Sequence, residues 1–297
     1  MRGTNAGEAG EDALARAFDA ERPHLLRVAY STLGSVAEAE DCVQEAWLRL
    51  RSHPDPGRIR ELRGWLTRTV GRLALDALGS ARVRRERYVG TWLPEPLVEA
   101  DPTHDPADRV TLDESVSMAL LLVLENLSPA ERTAFLLHDV FGMPFDEVAA
   151  VVGRSPAAVR QLASRARRHV AEGRPRFPPT HAEQRELVTA FVAACQDGDL
   201  ERLVALLAPD AVCRGDGGGK VNALREAVHG AAEVARTLLA FTRRPFRDLR
   251  VATVNGAPGL VGTGTDGLLS VASFTVDSGR ITAIDVVRNP DKLTTLR

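Results

Sequence analysis

Hydrophobic residues recur at helical spacing through roughly the first 170 positions and then alternate along a series of short runs that begins near residue 248. Asp12 to Thr32 reads as a helix with Leu14, Phe18, Leu25, Leu26 and Ala29 inward. Pro23 can kink or divide it. Gly34-Ser35 breaks the pattern, and Val36 to Leu50 starts a second helix. Here Val43, Trp47 and Leu50 pack, while Glu40, Asp41, Gln44 and Glu45 face out as an ordinary solvated surface would. Ser52 to Gly57, with two prolines and a glycine, must be a loop. The next helix runs from about Ile59 to Val89 with Leu62, Trp65, Leu66, Val70, Leu73 and Leu78 buried.

After the break at 90–108 the helical period returns. Ser128-Pro129-Ala130-Glu131 is a capping box with proline at the first helical position, opening a helix that should stop near Gly142. A short helix follows from Phe145 with Val148, Ala149 and Val152 on one side. Gly153 supplies a turn and Ser155-Pro156 starts the next helix. In that last helix Val159, Leu162, Ala166 and Val170 form a seam, and Arg160, Gln161, Ser164, Arg165, Arg167 and Arg168 lie opposite. From Val148 through Ala171 there is no acidic residue. Two short helices about a glycine turn, the second basic outside, are the pattern of a helix-turn-helix whose second helix enters the major groove. An ordinary αα-hairpin with a solvated basic face shares it.

A second proline-rich break, residues 173–181, precedes a different pattern. Helices are expected over Ala182–Gln196, Asp199–Leu207 and Ala231–Phe241. Strands are expected over Asp248–Asn255, Gly259–Gly264, Leu269–Asp277 and Ile281–Arg288. Helices followed by a meandering sheet make an α+β domain. Within it Asp216-Gly217-Gly218-Gly219-Lys220 has the look of a phosphate loop but lacks the first glycine, which would fall at Arg214, and has Val221 where Ser or Thr should bind magnesium. A glycine-rich turn is the better reading.

Composition sharpens this outline. A chain of 297 residues, 44% hydrophobic and 26% charged, has the makings of a soluble protein of two or three domains. Net charge is only −2, so any nucleic-acid footprint must be local. Between Arg58 and Arg87 nine arginines face only Glu61, Asp76 and Glu86, and part of the balancing acid lies between Glu95 and Glu114. Three scattered cysteines, Cys42, Cys195 and Cys213, suit neither a disulfide framework nor a zinc knuckle, and neither a metal nor a cofactor is expected. With no signal-like N-terminus and no apolar run of membrane-spanning length, a cytoplasmic protein with no membrane contact is expected, its first ten residues disordered. The linker 90–108 holds apolar Trp92-Leu93-Pro94-Glu95-Pro96. An exposed tryptophan there needs a cover, either a neighbouring domain or a local tuck.

Three sets of residues together carry a family resemblance. Asp41-Cys42-Val43-Gln44-Glu45-Ala46-Trp47, then Leu62-Arg63-Gly64-Trp65-Leu66, then the helix-turn-helix, resemble the extracytoplasmic-function (ECF) sigma factors of bacterial RNA polymerase. The motifs WLPEP, DGGGK and Asn289-Pro290-Asp291-Lys292-Leu293 resemble the SigJ-type subgroup, in which a SnoaL-like domain of the NTF2-like cone fold is fused at the C-terminus. The resemblance implies a multidomain chain: sigma region 2 over 11–89, all α; a linker over 90–108; region 4 over 109–172, all α; a linker over 173–181; and an α+β cone over 182–297.

It also implies roles. Asp41, Gln44, Glu45 and Trp47 would meet the β′ clamp of core RNA polymerase, with the β flap as a further contact. Arg58, Arg60, Arg63, Trp65 and Arg68 would hold the −10 element, and Trp65 is equally suited to a core position. Ser155, Ala157, Ala158, Arg160, Gln161, Ser164, Arg165 and Arg168 would meet the −35 element in promoter DNA, with arginine chemically suited to guanine edges or phosphates and glutamine to adenine. Trp92, Leu93, Pro94, Glu95, Pro96, Asp216, Gly217, Gly218, Gly219, Lys220, Asn289, Pro290, Asp291, Lys292 and Leu293 would join the cone to the sigma core and regulate it in cis. A sigma factor is not itself an enzyme. The rival readings are a plain helix-turn-helix regulator whose cone senses a small ligand, or a vestigial isomerase- or cyclase-like enzyme with Asp210, Asp216 or His229 as general base.

Overall fold

In the computed structural model, which describes residues 4–99, 116–173, 175, 177–242 and 246–296, the chain forms two compact units. The first comprises Met1–Arg82 and Leu127–His169, the second Val83–Asn126 and Val170–Arg297. The rest of the acidic linker, residues 100–108, and the opening residues of the segment expected at 109–172 lie outside the described residues.

The first unit is helical. Helix α1 (Thr4–Leu33) begins well before Asp12, so the leading segment expected to lack structure is helical from Thr4. No proline interrupts its alanine- and glutamate-containing sequence there, and Pro23 leaves α1 a single helix. Helix α2 (Val36–Arg51) starts at a Ser35 cap and buries Cys42, Val43, Ala46 and Leu50 against α1, whose Leu25, Val28, Ala29 and Leu33 are buried. A short 3-10 turn, Pro56–Arg58, sits inside the expected loop, and helix α3 (Leu62–Glu86) is trimmed at both ends relative to expectation. Leu66, Val70, Ala74 and Leu78 form its buried side.

From the later segment come α5 (Pro129–Phe135) with the expected capping box, a π-type turn over Leu136–Val140, α6 (Phe145–Val152) and α7 (Pro156–Gly173). The preceding helix α4 (Met118–Glu125) belongs to the second unit.

In the second unit α8 (His181–Asp197), α9 (Leu200–Leu206) and α10 (Ala231–Thr242) match expectation closely. Six strands form one sheet: β1 (Leu207–Asp216), β2 (Val228–His229), β3 (Phe246–Val254), β4 (Ala257–Gly264), β5 (Leu269–Asp277) and β6 (Arg280–Val287), in the order β2-β1-β6-β5-β4-β3. Four strands follow the alternation of the sequence. The long strand β1 does not. It pairs parallel to β6 and antiparallel to β2, and its register shifts between Leu207 and Val212 around Pro209. That irregularity breaks the two-residue period by which a strand is recognised.

The sheet has two apolar faces. One packs on the helices through Val188, Phe191, Leu203, Val234, Phe274 and Ile284, with buried Gln184 donating to the carbonyls of Pro258 (3.1 Å) and Phe274 (3.2 Å). The other gathers Ala252, Val254, Val261, Val271 and Val287, and it is covered by Leu93, Val98, Leu122 of α4 and Leu293. On this second face the buried Asp285 carboxylate is gripped by Arg214 at 2.6 and 3.3 Å. Burial pushes its carboxyl above the usual range, against the pull of the arginine.

Residues 88–99 are therefore part of a core. Leu93 is fully buried, so Leu93→Ala should destabilise the second unit by about 2–5 kcal/mol in urea unfolding. Val89→Ala, at a side chain 67% exposed, should change stability by roughly 0.5 kcal/mol or less.

Candidate nucleic-acid interface and linker anchor

The helix-turn-helix forms as the sequence predicts. Gly142 ends the first helical stretch, and Gly153 adopts a left-handed φ of 70°, a conformation costly for any residue with a Cβ. Ser155 then caps α7, its hydroxyl accepting the Ala158 N–H at 3.3 Å. Val159, Leu162, Ala166 and Val170 are buried as expected, with Ala163 added to the seam. Ala157, Arg160, Gln161, Ser164, Arg165 and Arg168 are exposed, and Ala158 is half-buried beside them. Arg167, on the same polar face, is tied to Asp139 at 2.6 Å. The Arg160 guanidinium lies 5.4 Å from the Phe145 ring.

On α3 and the loop before it the arginines are less free. Arg58 pairs with Asp55 (2.9 Å) and Arg60 is exposed. Trp65 is half-buried, edge-on to His53 at 5.8 Å. Arg68 meets Glu147 of α6 at 3.4 Å, and Arg72 donates to the Val151 carbonyl at 2.9 Å. At Gly71 a Cβ would lie 3.1 Å from Leu137. Thus α6 packs on the arginine face of α3.

A polar chain joins α1 to α3. Arg63 donates to His24 Nδ1 at 3.2 Å, which leaves Nε2–H to donate to the Thr67 hydroxyl at 3.1 Å, and Thr67 donates to the Arg63 carbonyl at 2.7 Å. The His24 ring also meets Phe141 edge-on at 5.8 Å. Burial, with Arg63 and Arg27 adding to it, lowers the His24 pKa from 6.5 to about 4.

The acidic face of α2 is open as expected. Asp41 and Gln44 are exposed, Glu45 pairs with Arg49 at 2.9 Å, and Trp47 packs on Phe18 at 5.1 Å, leaving one edge on a groove with Asp19 and Arg22.

In the second unit the three punctuating motifs meet. The fully buried Asp216 carboxylate accepts four hydrogen bonds: Tyr88 hydroxyl (2.6 Å), Leu93 N–H (2.9 Å), Gly218 N–H (3.0 Å) and Lys292 ammonium (2.7 Å). Lys292 also donates to the Leu93 carbonyl and lies 4.2 Å from the Trp92 ring, and Arg85 covers that ring at 3.6 Å. Asn289 donates to Tyr88 at 2.7 Å. Gly218 has φ 62°, and a Cβ there would come within 2.4 Å of Asn289. Gly217 is buried, while Gly219 and Lys220 are exposed and Lys220 pairs with Asp291. Pro94, Glu95, Pro96 and Leu293 are buried and Pro290 half-buried. Burial lowers the Lys292 pKa against the pull of Asp216, and raises that of Tyr88 together with its bond to Asp216. Farther along, Leu97 exchanges hydrogen bonds with Asn255 and Glu99 donates to Thr253, so the linker extends the β3 edge.

The general-base candidates do not converge. Asp216 is committed to the linker, and Asp210 and His229 are exposed on β1 and β2; none lines the cavity on the helix side of the sheet. The strand period turns Asp216 to the opposite face from Cys213 and Gly215, which do line it. Sequence reasoning missed Tyr88, Arg85 and Asn255. Arg85 and Tyr88 fall near the end of the helix predicted over 59–89, and Asn255 ends the strand predicted over 248–255, so no local signal marks a distant partner. Among the described residues no group of His, Cys, Asp and Glu could hold a metal, and no helix is long and apolar enough to cross a membrane.

Three family models match the chain. The sigma-70 region 2 model matches residues 17–84, the sigma-70 region 4 model 117–170 and the SnoaL-like domain model 188–284. The ECF RNA polymerase sigma factor SigJ of Mycobacterium tuberculosis is 45% identical, covering 93% of this chain and 92% of its own. The probable ECF sigma factor SigI of the same species is 37% identical over 96% of this chain and 97% of its own. The crystal structure of M. tuberculosis SigJ superposes with a TM-score of 0.79 at 41% identity, covering 94% of this chain and 98% of that one.

The His24 shift gives a signed expectation. A histidine held neutral in the fold stabilises fully above its unfolded value of 6.5, and that contribution declines as pH falls toward about 4. The melting temperature should therefore drop more between pH 7.5 and 5.0 for the parent chain than for His24→Gln, measured by circular dichroism.

Proposed function

The chain belongs to the extracytoplasmic-function sigma factors, and from that premise we propose how its residues direct RNA polymerase to promoters and how its C-terminal domain regulates them in cis. The reading divides the chain into region 2 at 11–89, a linker at 90–108, region 4 at 109–172 and the cone at 182–297. The supporting observation is the exposed basic face of α7, acid-free from Pro156 through Ala171, after a left-handed glycine, in the same chain as an arginine-rich α3.

In this reading α7 enters the major groove at the −35 element. The N-terminal residues of a recognition helix reach base edges, which assigns Arg160 and Gln161 to bases, with Ala157 and Ala158 allowing close approach. Arg165 and Arg168, farther along, take phosphates, and Ser155 and Ser164 flank them. Arg58, Arg60, Arg63 and Arg68 hold phosphates around the −10 element, and Trp65 supports an unstacked base. Asp41, Gln44, Glu45 and Trp47 meet the polymerase clamp, and region 4 meets the flap. The chain works in the cytoplasm and supplies no catalysis of its own.

The contacts of Arg68 with Glu147 and Arg72 with Val151 mark a closed resting state. Elements centred some 25 positions apart span about 85 Å of duplex at 3.4 Å per step, so packed helices cannot read both. Promoter engagement then requires α6 to leave α3.

Regulation in cis runs through the linker in this reading, because Asp216 and Lys292 of the cone hold Tyr88 and Leu93. A cone serving mainly as a sensor is favoured by one observation, its internal cavity, and is compatible with the same scheme.

Two experiments test these assignments. In run-off transcription with core polymerase and a promoter library, Gln161→Ala should relax preference at one −35 position by about 1–3 kcal/mol. Arg168→Ala should weaken all templates alike and reduce the salt slope of binding by about 1. Asp216→Asn should weaken the hold on a buried ammonium, destabilise the second unit by about 3 kcal/mol and shift run-off output in the same direction as deletion of residues 181–297. Output equal to the parent chain from both the substituted and the truncated proteins would remove regulation in cis.

A further inference from the structure

We infer that the cavity on the helix side of the second unit's sheet binds a small, largely apolar molecule with one oxygen acceptor, held by Arg288, and that its occupancy is felt at the linker anchor. The inference deepens the reading of the cone as a regulator in cis.

The cavity measures about 350 Å³, within the range of small-molecule sites and far larger than the voids of a packed interior. At interior packing density it accommodates on the order of 10–15 non-hydrogen atoms. Its walls are apolar, with Phe191, Leu238, Leu249, Phe274 and Val286 among them. Two floor positions are glycines. A Cβ on Gly262 would come within 2.9 Å of both Leu249 and Phe246, and one on Gly215 within 2.9 Å of the Leu224 backbone. No side chain from these strand positions fills the space. At the mouth Phe241 and Phe246 remain 39% and 37% exposed, an unusual pair of phenyl groups to leave in water.

One polar group defines the ligand's polar end. The Arg288 side chain, 17% exposed, lines the cavity and donates to Ser270 Oγ (3.1 Å), the Asn222 carbonyl (2.6 Å) and Asp266 Oδ2 (3.2 Å). A guanidinium has five N–H donors, so these bonds leave two for a ligand oxygen. Asp266 already balances the charge at the rim, which favours a neutral acceptor such as a ketone over an anion. Burial pushes the thiols of Cys195 and Cys213 up to about 12, so neither is an ionised nucleophile in the cavity. With Asp210, Asp216 and His229 elsewhere, the lining is suited to binding rather than to acid–base chemistry.

Two cavity residues border the linker anchor directly. Gly215 precedes Asp216 on β1, and the Arg288 N–H donates to the Asp216 carbonyl at 2.8 Å, beside Asn289 at 3.0 Å. A molecule pressing on Gly215 and bonded to Arg288 orders both segments that hold Tyr88 and Leu93.

The probe is 2-acetylnaphthalene, with naphthalene as its acceptor-free analogue, titrated into the full-length chain by calorimetry. The expected result is saturable one-to-one binding, about tenfold tighter for the ketone. Arg288→Met should remove the ketone's advantage while keeping naphthalene binding. Ala272→Phe and Thr237→Trp, which fill the cavity from β5 and from α10, should each abolish binding in protein that still melts cooperatively. Hydrogen exchange of residues 88–99 should slow several-fold when the ketone binds. No saturable binding to the parent chain, undiminished binding to both filled variants, or equal affinity for the two probes overturns the site. Binding that leaves exchange at 88–99 unchanged overturns the coupling. Because binding and exchange are read without transcription, these failures are distinct from failure of regulation in cis.

Discussion

One buried carboxylate sets the terms for the second unit. Asp216 has no solvent contact, and an ionised carboxylate in that position is tolerable only if its lone pairs are filled. Four donors fill them: Tyr88 just before the linker, Leu93 within it, Gly218 of the glycine turn and the C-terminal Lys292. Removing the linker would strand the carboxylate, and it would also strip Leu93 and Val98 from the second face of the sheet. Residues 88–99 are therefore a structural part of the second unit, fixed by electrostatics at one end and by strand pairing at Leu97 to Glu99 at the other.

This changes what fusion means for such a chain. Unit two includes the end of α3 and the whole of α4, so the compact units do not follow the sequence boundaries of the sigma regions. Leu122 of α4 packs on the same apolar face as Leu93, and a Cβ on Gly173 at the end of α7 would come within 2.6 Å of Val123. A free linker would let two DNA-reading modules sample many separations. Residues 88–99 are instead pinned on the second unit's sheet, and the Asp216–Lys292 ion pair is part of what holds them.

Much of this was legible in the sequence, and the rest was not for identifiable reasons. The capping box at Ser128, the left-handed Gly153 and the buried seam of α7 are local signals, and all are realised. So are the four strands β3 to β6, close to the bounds that the alternating runs of the sequence predict. Strand β1 escaped because Pro209 and a register shift erase its period, although it is paired on both sides. The cover over Trp92 could be expected, but its chemistry could not. Arg85 and Lys292 lie far apart in sequence, and only the tertiary fold sets them about one indole. The charge on α3 was visible. That Arg68 and Arg72 are spent on α6 depends on long-range packing that no local pattern encodes.

Strands β1 and β6 carry both of the second unit's distinctive environments on opposite faces of the same backbone. Cys213, Gly215, Ile284 and Val286 line the cavity, while Arg214, Asp216, Asp285 and Val287 belong to the linker-covered side. The two sets alternate with the two-residue period of a strand, so neither strand can slip by one residue without exchanging apolar wall for buried charge. The Arg214–Asp285 pair joins directly opposed positions on the two strands and penalises such a slip. The fold thereby fixes register at the place where the cavity wall and the linker anchor share a backbone.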